Sequence, residues 1–211
     1  MKHRLAAALL TFLSLMLTEG TTHAMQAPRA ASTSATQDKG SKMDDLKSFA
    51  TGGRTILESR VGDIRGDGSE GVVLVLDPPV AGAPKLGEGP AREVVLLVRD
   101  DHGRLHKVAS NARVVPCSSC GGLSGDPYGY TRIERGHFTI VIGGGGREHW
   151  SDEFTFAYAS DRGDWFLTGA LRRVEDTDTG QQKQLDLPAK DVGKIAFEDF
   201  DPAKLPEVEL P

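Results

Sequence analysis

The sequence predicts a mainly β domain: antiparallel sheets of eight or nine short strands, preceded by one short helix. Three observations predict it. Short runs of β-branched, aliphatic or aromatic residues recur along the chain, from Thr55-Ile56-Leu57 to Trp165-Phe166-Leu167. Breaks rich in Gly, Pro and Asp separate them at hairpin spacing, as at Asp100-Asp101-His102-Gly103 and Arg135-Gly136. Helical periodicity is confined to one stretch, where Met43, Leu46 and Phe49 fall on one face.

The first residues predict export. Lys2, His3 and Arg4 form a basic start, and Leu5 to Leu17 is apolar except for Thr11 and Ser14. Thr22-His23-Ala24 then sets small residues three and one before a cut after Ala24. That order is the grammar of a secretory signal peptide, here residues 1–24. The apolar run is about thirteen residues, whereas a membrane-spanning helix takes roughly 20. No transmembrane span is expected, and no cysteine lies near the cut to carry a lipid. The expected location is periplasmic or secreted. Residues 25–42, rich in Ala, Ser, Thr and Gln, read as a disordered leader. Residues 43–200 then form a single β-rich domain, and 201–211 a flexible tail.

The chain of 211 residues carries 25 basic and 30 acidic side chains. Loss of Lys2, Arg4 and Glu19 with the signal peptide would make it one charge more acidic still. An acidic surface argues against nucleic acid, because phosphate binding needs a basic face. It also gives no pull toward an anionic membrane surface.

Within the domain, Met43 to Ala50 is the helix, and Gly52-Gly53 ends it. Thr55-Ile56-Leu57 begins a strand, and Gly62 to Gly71 is a tight polar loop. Val72 to Leu76 is continuously apolar, which suits a strand buried on both faces. Asp77-Pro78-Pro79 stops it, and the Pro/Gly-rich stretch to Pro90 is a loop. Glu93 to Val98 is a strand, Leu105 to Val108 its return, and Arg113-Val114-Val115 another short strand. Residues 116–129 form a structured loop. Thr131 to Glu134 and His137 to Ile142 make a hairpin about Arg135-Gly136, and Gly143 to Gly146 is a break. Glu153 to Tyr158 alternates polar and aromatic residues, as a half-buried strand does. Trp165 to Leu171 pairs back. Glu175 to Gln184 reads as polar connection, Gly193 to Phe197 as a late strand, and the Pro-rich end as surface chain.

Two local patterns could carry chemistry. Gly62-Asp63-Ile64-Arg65-Gly66-Asp67-Gly68 sets Asp63 and Asp67 at two ligand positions of a calcium-type loop. Arg65 stands where a third oxygen is wanted, and Gly71 where a closing carboxylate is wanted, so the metal pattern is degenerate. The alternative is an Asx/Gly turn between strands. Arg65-Gly66-Asp67, a tripeptide known from adhesion ligands, lies inside the same turn. The second pattern is Cys117-Ser118-Ser119-Cys120. An exported chain meets an oxidising compartment, so a Cys117–Cys120 disulfide is expected. A redox pair normally opens a helix, and Gly121-Gly122-Leu123 does not. A zinc site would need two further ligands.

Hydrolase and phosphate patterns are incomplete. Asp126 stands where Gly122-x-Ser124-x would need glycine. His102, His106, His137 and His149 are scattered, and Gly143 to Gly146 lacks the Lys-Ser/Thr of a phosphate loop. Trp150, Phe154, Phe156, Tyr158, Trp165 and Phe166 fall on two adjacent strands, as a ligand wall or as cross-strand core.

Several of these motifs occur in one order. The acidic turn precedes Val72 to Leu76, then come Cys120-Gly121-Gly122, Gly125-Asp126-Pro127, Trp150, Phe154-Thr155-Phe156, Trp165-Phe166-Leu167 and Gly193-Lys194. Over roughly residues 46 to 197 the chain resembles a group of exported bacterial proteins with a single FG-GAP, integrin-repeat-like opening. It departs from them at Arg65 and Gly71. The resemblance implies compartment and architecture, and no activity. The function expected is a non-catalytic exported binding protein with an unknown envelope partner and no cofactor beyond calcium on the degenerate loop of Asp63 and Asp67. The alternative is an envelope redox protein or enzyme using Cys117 and Cys120.

Overall fold

A computed structural model describes residues 44–79, 82 and 84–211. The signal peptide and leader expected over 1–42 lie outside the described residues. The fold is mainly β, with nine strands in two antiparallel sheets. One sheet is the meander β1 (Thr55–Gly62), β2 (Gly71–Asp77), β3 (Arg92–Arg99) and β4 (Leu105–Val115). The other is the meander β5 (Tyr128–Glu134), β6 (His137–Gly145), β7 (Glu148–Ala159), β8 (Asp164–Asp176) and β9 (Gln182–Pro188).

The period of two along each strand decides which side chains meet. Val73, Val75, Val94, Leu96 and Val98 join Phe138, Ile140, Phe154, Phe156, Trp165 and Leu167 in the core between the sheets. The intervening Val72, Leu74, Leu76, Val95 and Leu97 form a second cluster on the other face of the first sheet. Leu46, Phe49 and Ala50 cover that cluster, brought there by a helical turn over residues 44–47. Cover on both sides explains why β2 has no polar residue before Asp77.

The chain beyond β9 closes the core. Phe197 and Phe200 are fully buried and set their rings edge-on against Phe138, Phe154 and Phe156. Each such ring is worth about 1.5–3 kcal/mol on burial. Asn111 of β4 holds this segment. Its Nδ2 donates to Phe197 O (2.6 Å) and Phe200 O (2.8 Å). Its Oδ1 accepts from the Arg113 N–H (2.7 Å) and the Val114 N–H (2.9 Å). Leu205, within the stretch read as a tail, is buried as well, and Arg172 Nη1 donates to Pro206 O at 2.9 Å.

Four elements differ from the sequence reading. The segments at 105–108 and 113–115 are one strand, β4, with register shifts in its pairing to β3. The glycines at 143–145 continue β6 instead of breaking it. They are needed because a Cβ on Gly144 would lie 2.6 Å from Gly121 O. The polar connection contains the start of β9, whose apolar signal is faint because only Leu185 and Leu187 are half-buried. The late strand at 193–197 is instead a loop with one bridge, Ala196 to Phe166, followed by a 3-10 turn, Phe197–Asp199. Phe197 fills the core as a plug, which needs no ladder.

Candidate functional site

The acidic turn and the cysteine loop sit at opposite ends of β6. The Gly136 N–H, before β6, donates to Asp63 O at 2.8 Å. The Gly145 N–H, at the far end of β6, donates to Gly121 O at 2.8 Å. No arrangement of this fold brings Asp63 and Asp67 to Cys117 and Cys120.

In the turn, the carboxylates face inward on their own backbone. Asp63 accepts from the Gly66 N–H (2.6 Å) and the Gly68 N–H (3.0 Å). Asp67 Oδ1 accepts from the Ser69 N–H (2.8 Å) and the Ser69 hydroxyl (2.5 Å), and these bonds hold its carboxyl below the usual range. Arg65 lies over the Tyr158 ring at 5.6 Å and Arg135 approaches Asp63 at 3.7 Å, so two cations flank the acids. Ile64 is fully buried and its carbonyl accepts from Trp165 Nε1 at 2.8 Å. A Cβ at Gly71 would meet Ile64 Cγ1 at 2.5 Å, which is why a closing carboxylate has no room there. The turn is thereby a fastener between the sheets. Among the described residues, no three His, Cys, Asp or Glu side chains converge as a metal cage would require.

At the other end, Cys117 and Cys120 form a disulfide with a Cα–Cα separation of 5.1 Å. Cys117 is buried. The loop before β3 packs on the bridge, with the Gly87 N–H donating to Ser119 O (2.7 Å) and Ser119 Oγ to Glu88 O (2.5 Å). Arg92, fully buried at the start of β3, forks onto Asp126 (2.6 and 2.6 Å) and sends Nε to Asp77 (2.6 Å). Burial pulls the Arg92 pKa down, and its two carboxylate partners more than reverse that. For Asp126, burial pushes up, while Arg92 and the Tyr128 N–H bring the net pKa below the usual range.

The apex of this end is the turn Gly122-Leu123-Ser124-Gly125. It is fixed by Gly121 N–H to Gly125 O (2.9 Å), Gly125 N–H to Gly122 O (3.1 Å) and Ser124 N–H to Gly145 O (3.0 Å). Leu123 is 83 % exposed on it, and Leu86, on the neighbouring loop, is 62 % exposed.

The remaining candidates disperse. His106 pairs with Asp100 (2.8 Å) and His137 with Glu134 (2.9 Å), on different hairpins. Phe154, Phe156 and Trp165 are core. Phe166, facing outward, borders an open groove of about 480 Å³ with Arg162 and Lys190. Sequence reasoning passed over Arg92 and Asn111, since one arginine opening a strand and one asparagine inside another carry no local signal of burial. Comparison of the chain with family models, curated proteins and solved structures returned no match.

Proposed function

We propose that this chain is a non-catalytic exported protein that binds a protein partner of the cell envelope through its disulfide-stapled end. The observation that carries the reading is the display of Leu123 at 83 % exposure on a turn held by three backbone hydrogen bonds beside the disulfide. A single exposed leucine is ordinary on a protein surface. Here a disulfide, an arginine with two carboxylates and a close glycine–glycine approach all fix a loop whose apex leaves Leu123 largely in solvent. Rigid loops on a sheet scaffold are where binding residues concentrate, and a preordered loop loses less entropy on docking. Export rests on the residue order over 1–24 and on the resemblance to exported bacterial proteins, and the disulfide agrees with an oxidising compartment.

The test is capture of partners from an envelope extract on the immobilised exported form and on its Leu123→Asp variant. The expected result is a protein held by the first and lost by the second, with unchanged melting. Equal retention would overturn the reading. Thiol–disulfide exchange that disappears in Cys120→Ser would favour the redox alternative instead, because a structural bridge resists the glutathione pool.

A further inference from the structure

At the end of β7 and β8 away from the disulfide, the outer face of the second sheet holds a trough of about 480 Å³. Phe166 and Ala157, paired across β7 and β8, lie along it half-buried. Arg162, Lys190 and Lys194 line its rim. The Arg162 guanidinium sits 5.1 Å from the centre of the Phe166 ring, and its Nε lies 3.8 Å from Asp161, the one acid lining the trough. Lys190 and Lys194 are exposed and have no ion-pair partner among the described residues. Three cations to one carboxylate is a local reversal of sign on a chain whose net charge is −5.

We infer that this trough is a second binding site, one that takes a short acidic segment of a partner protein carrying an apolar anchor. The anchor lies on Phe166 and the flanking carboxylates meet Arg162, Lys190 and Lys194. The sign and extent of the charge select this occupant. An anionic bilayer is an extended surface, and it would face the acidic remainder of the molecule as well as these three cations. Membrane recognition by charge alone uses clusters of about four to eight basic residues. A short segment feels only charges within a Debye length, about 8–10 Å at ordinary salt. The trough is also open along the sheet, whereas small-molecule sites enclose most of their ligand. The site is separate from Leu123, so it stands or falls apart from the disulfide-end reading.

The experiment is calorimetric titration of the exported form with the acetylated, amidated hexapeptide Glu-Glu-Leu-Phe-Glu-Glu. Saturable binding is expected, weakening about fivefold as sodium chloride rises from about 50 to about 300 mM. The double variant Lys190→Glu/Lys194→Glu, altered only at exposed positions, should bind at least about tenfold more weakly with unchanged melting. The same peptide with Gln for each Glu should bind about tenfold more weakly to the unaltered protein. No heat up to millimolar peptide, equal affinity for the Gln peptide, or indifference to the double variant would each overturn the proposal. Sedimentation with phosphatidylglycerol vesicles in preference to peptide binding would overturn it too, in favour of a lipid surface.

Discussion

Arg92 grips Asp126 with two parallel contacts of 2.6 Å, tying the start of β3 to the loop after the disulfide. The guanidinium is 1 % exposed, while the Asp126 carboxylate is 45 % exposed. The two partners are therefore unequal. Asp126→Ala leaves a buried cation with Asp77 alone, whereas Arg92→Met leaves two carboxylates that can hydrate. Removing one partner of a fully buried pair costs about 3–5 kcal/mol, and the exposure of Asp126 lowers the cost here to about 2 kcal/mol. Urea denaturation should show Asp126→Ala as the more destabilising of the two variants.

The same pair makes stability depend on pH. The folded-state pKa of Asp126 lies below its usual value, so its contribution is fully present above the unfolded pKa of about 3.9. It is lost as pH falls through the folded-state value. Melting temperature should drop between pH 4 and lower pH in the unaltered protein, and drop less steeply in Asp126→Asn.

Asn111 makes four hydrogen bonds from a 3 % exposed site, two of them to the carbonyls of Phe197 and Phe200. Asn111→Ala leaves buried donors and acceptors unpaired, at about 1–3 kcal/mol for each such group. A loss on the order of 3 kcal/mol is expected. Hydrogen exchange should show Phe197 to Leu205 losing protection before β2 and β3 do. Uniform loss of protection would mean that this segment does not open as a unit.

The strands with a plain period, β2, β3 and the β5–β6 hairpin, were legible because burial acts on every second residue or on all of them. β9 was not, because an edge strand with two half-buried leucines leaves little apolar trace. Phe197 reads as the end of a late strand, and Phe200 carries no signal of its own, because a plug in the core obeys no period. The Cys117–Cys120 bridge was legible from the expectation of an oxidising compartment. The trough at Phe166 could not be foreseen, since Arg162, Lys190 and Lys194 meet there only through the pairing of β7, β8 and β9.

Gly71 and Ile64 are coupled by space. A Cβ on Gly71 would lie 2.5 Å from Ile64 Cγ1, 2.8 Å from its Cδ1 and 3.3 Å from Leu97 O. Gly71→Ala should cost about 1–3 kcal/mol as an overpacked site. Ile64→Ala alone should cost about 2–5 kcal/mol, the usual range for a buried isoleucine. In the double variant the clash with Cγ1 and Cδ1 is gone, so the two losses should fall short of adding by at least about 0.5 kcal/mol. Strict additivity in the cycle would show that Ile64 is not what forbids a side chain at 71.

The last prediction concerns calcium. Asp63 spends both oxygens on the Gly66 and Gly68 N–H groups, and Asp67 Oδ1 is held by Ser69. A Ca²⁺ ion wants six to eight oxygens. Of the four carboxylate oxygens only Asp67 Oδ2 carries none of these bonds, so to gather a second from these side chains a cation would have to compete with bonds that close the turn, with Arg65 and Arg135 alongside. Calorimetric titration should therefore show affinity no tighter than about 10⁻⁴–10⁻³ M, the range of ligand-poor extracellular sites. Melting should be unchanged by chelator or by about 0.01 mM Ca²⁺, a concentration at which a micromolar site would raise stability and one this weak would not. Asp63→Ala, by contrast, should cost roughly 1–2 kcal/mol without any metal present, as the loss of a side-chain cap on backbone N–H groups does. A micromolar site abolished by Asp67→Ala would reverse the assignment and make the turn a cation site whose carboxylates swing outward on binding.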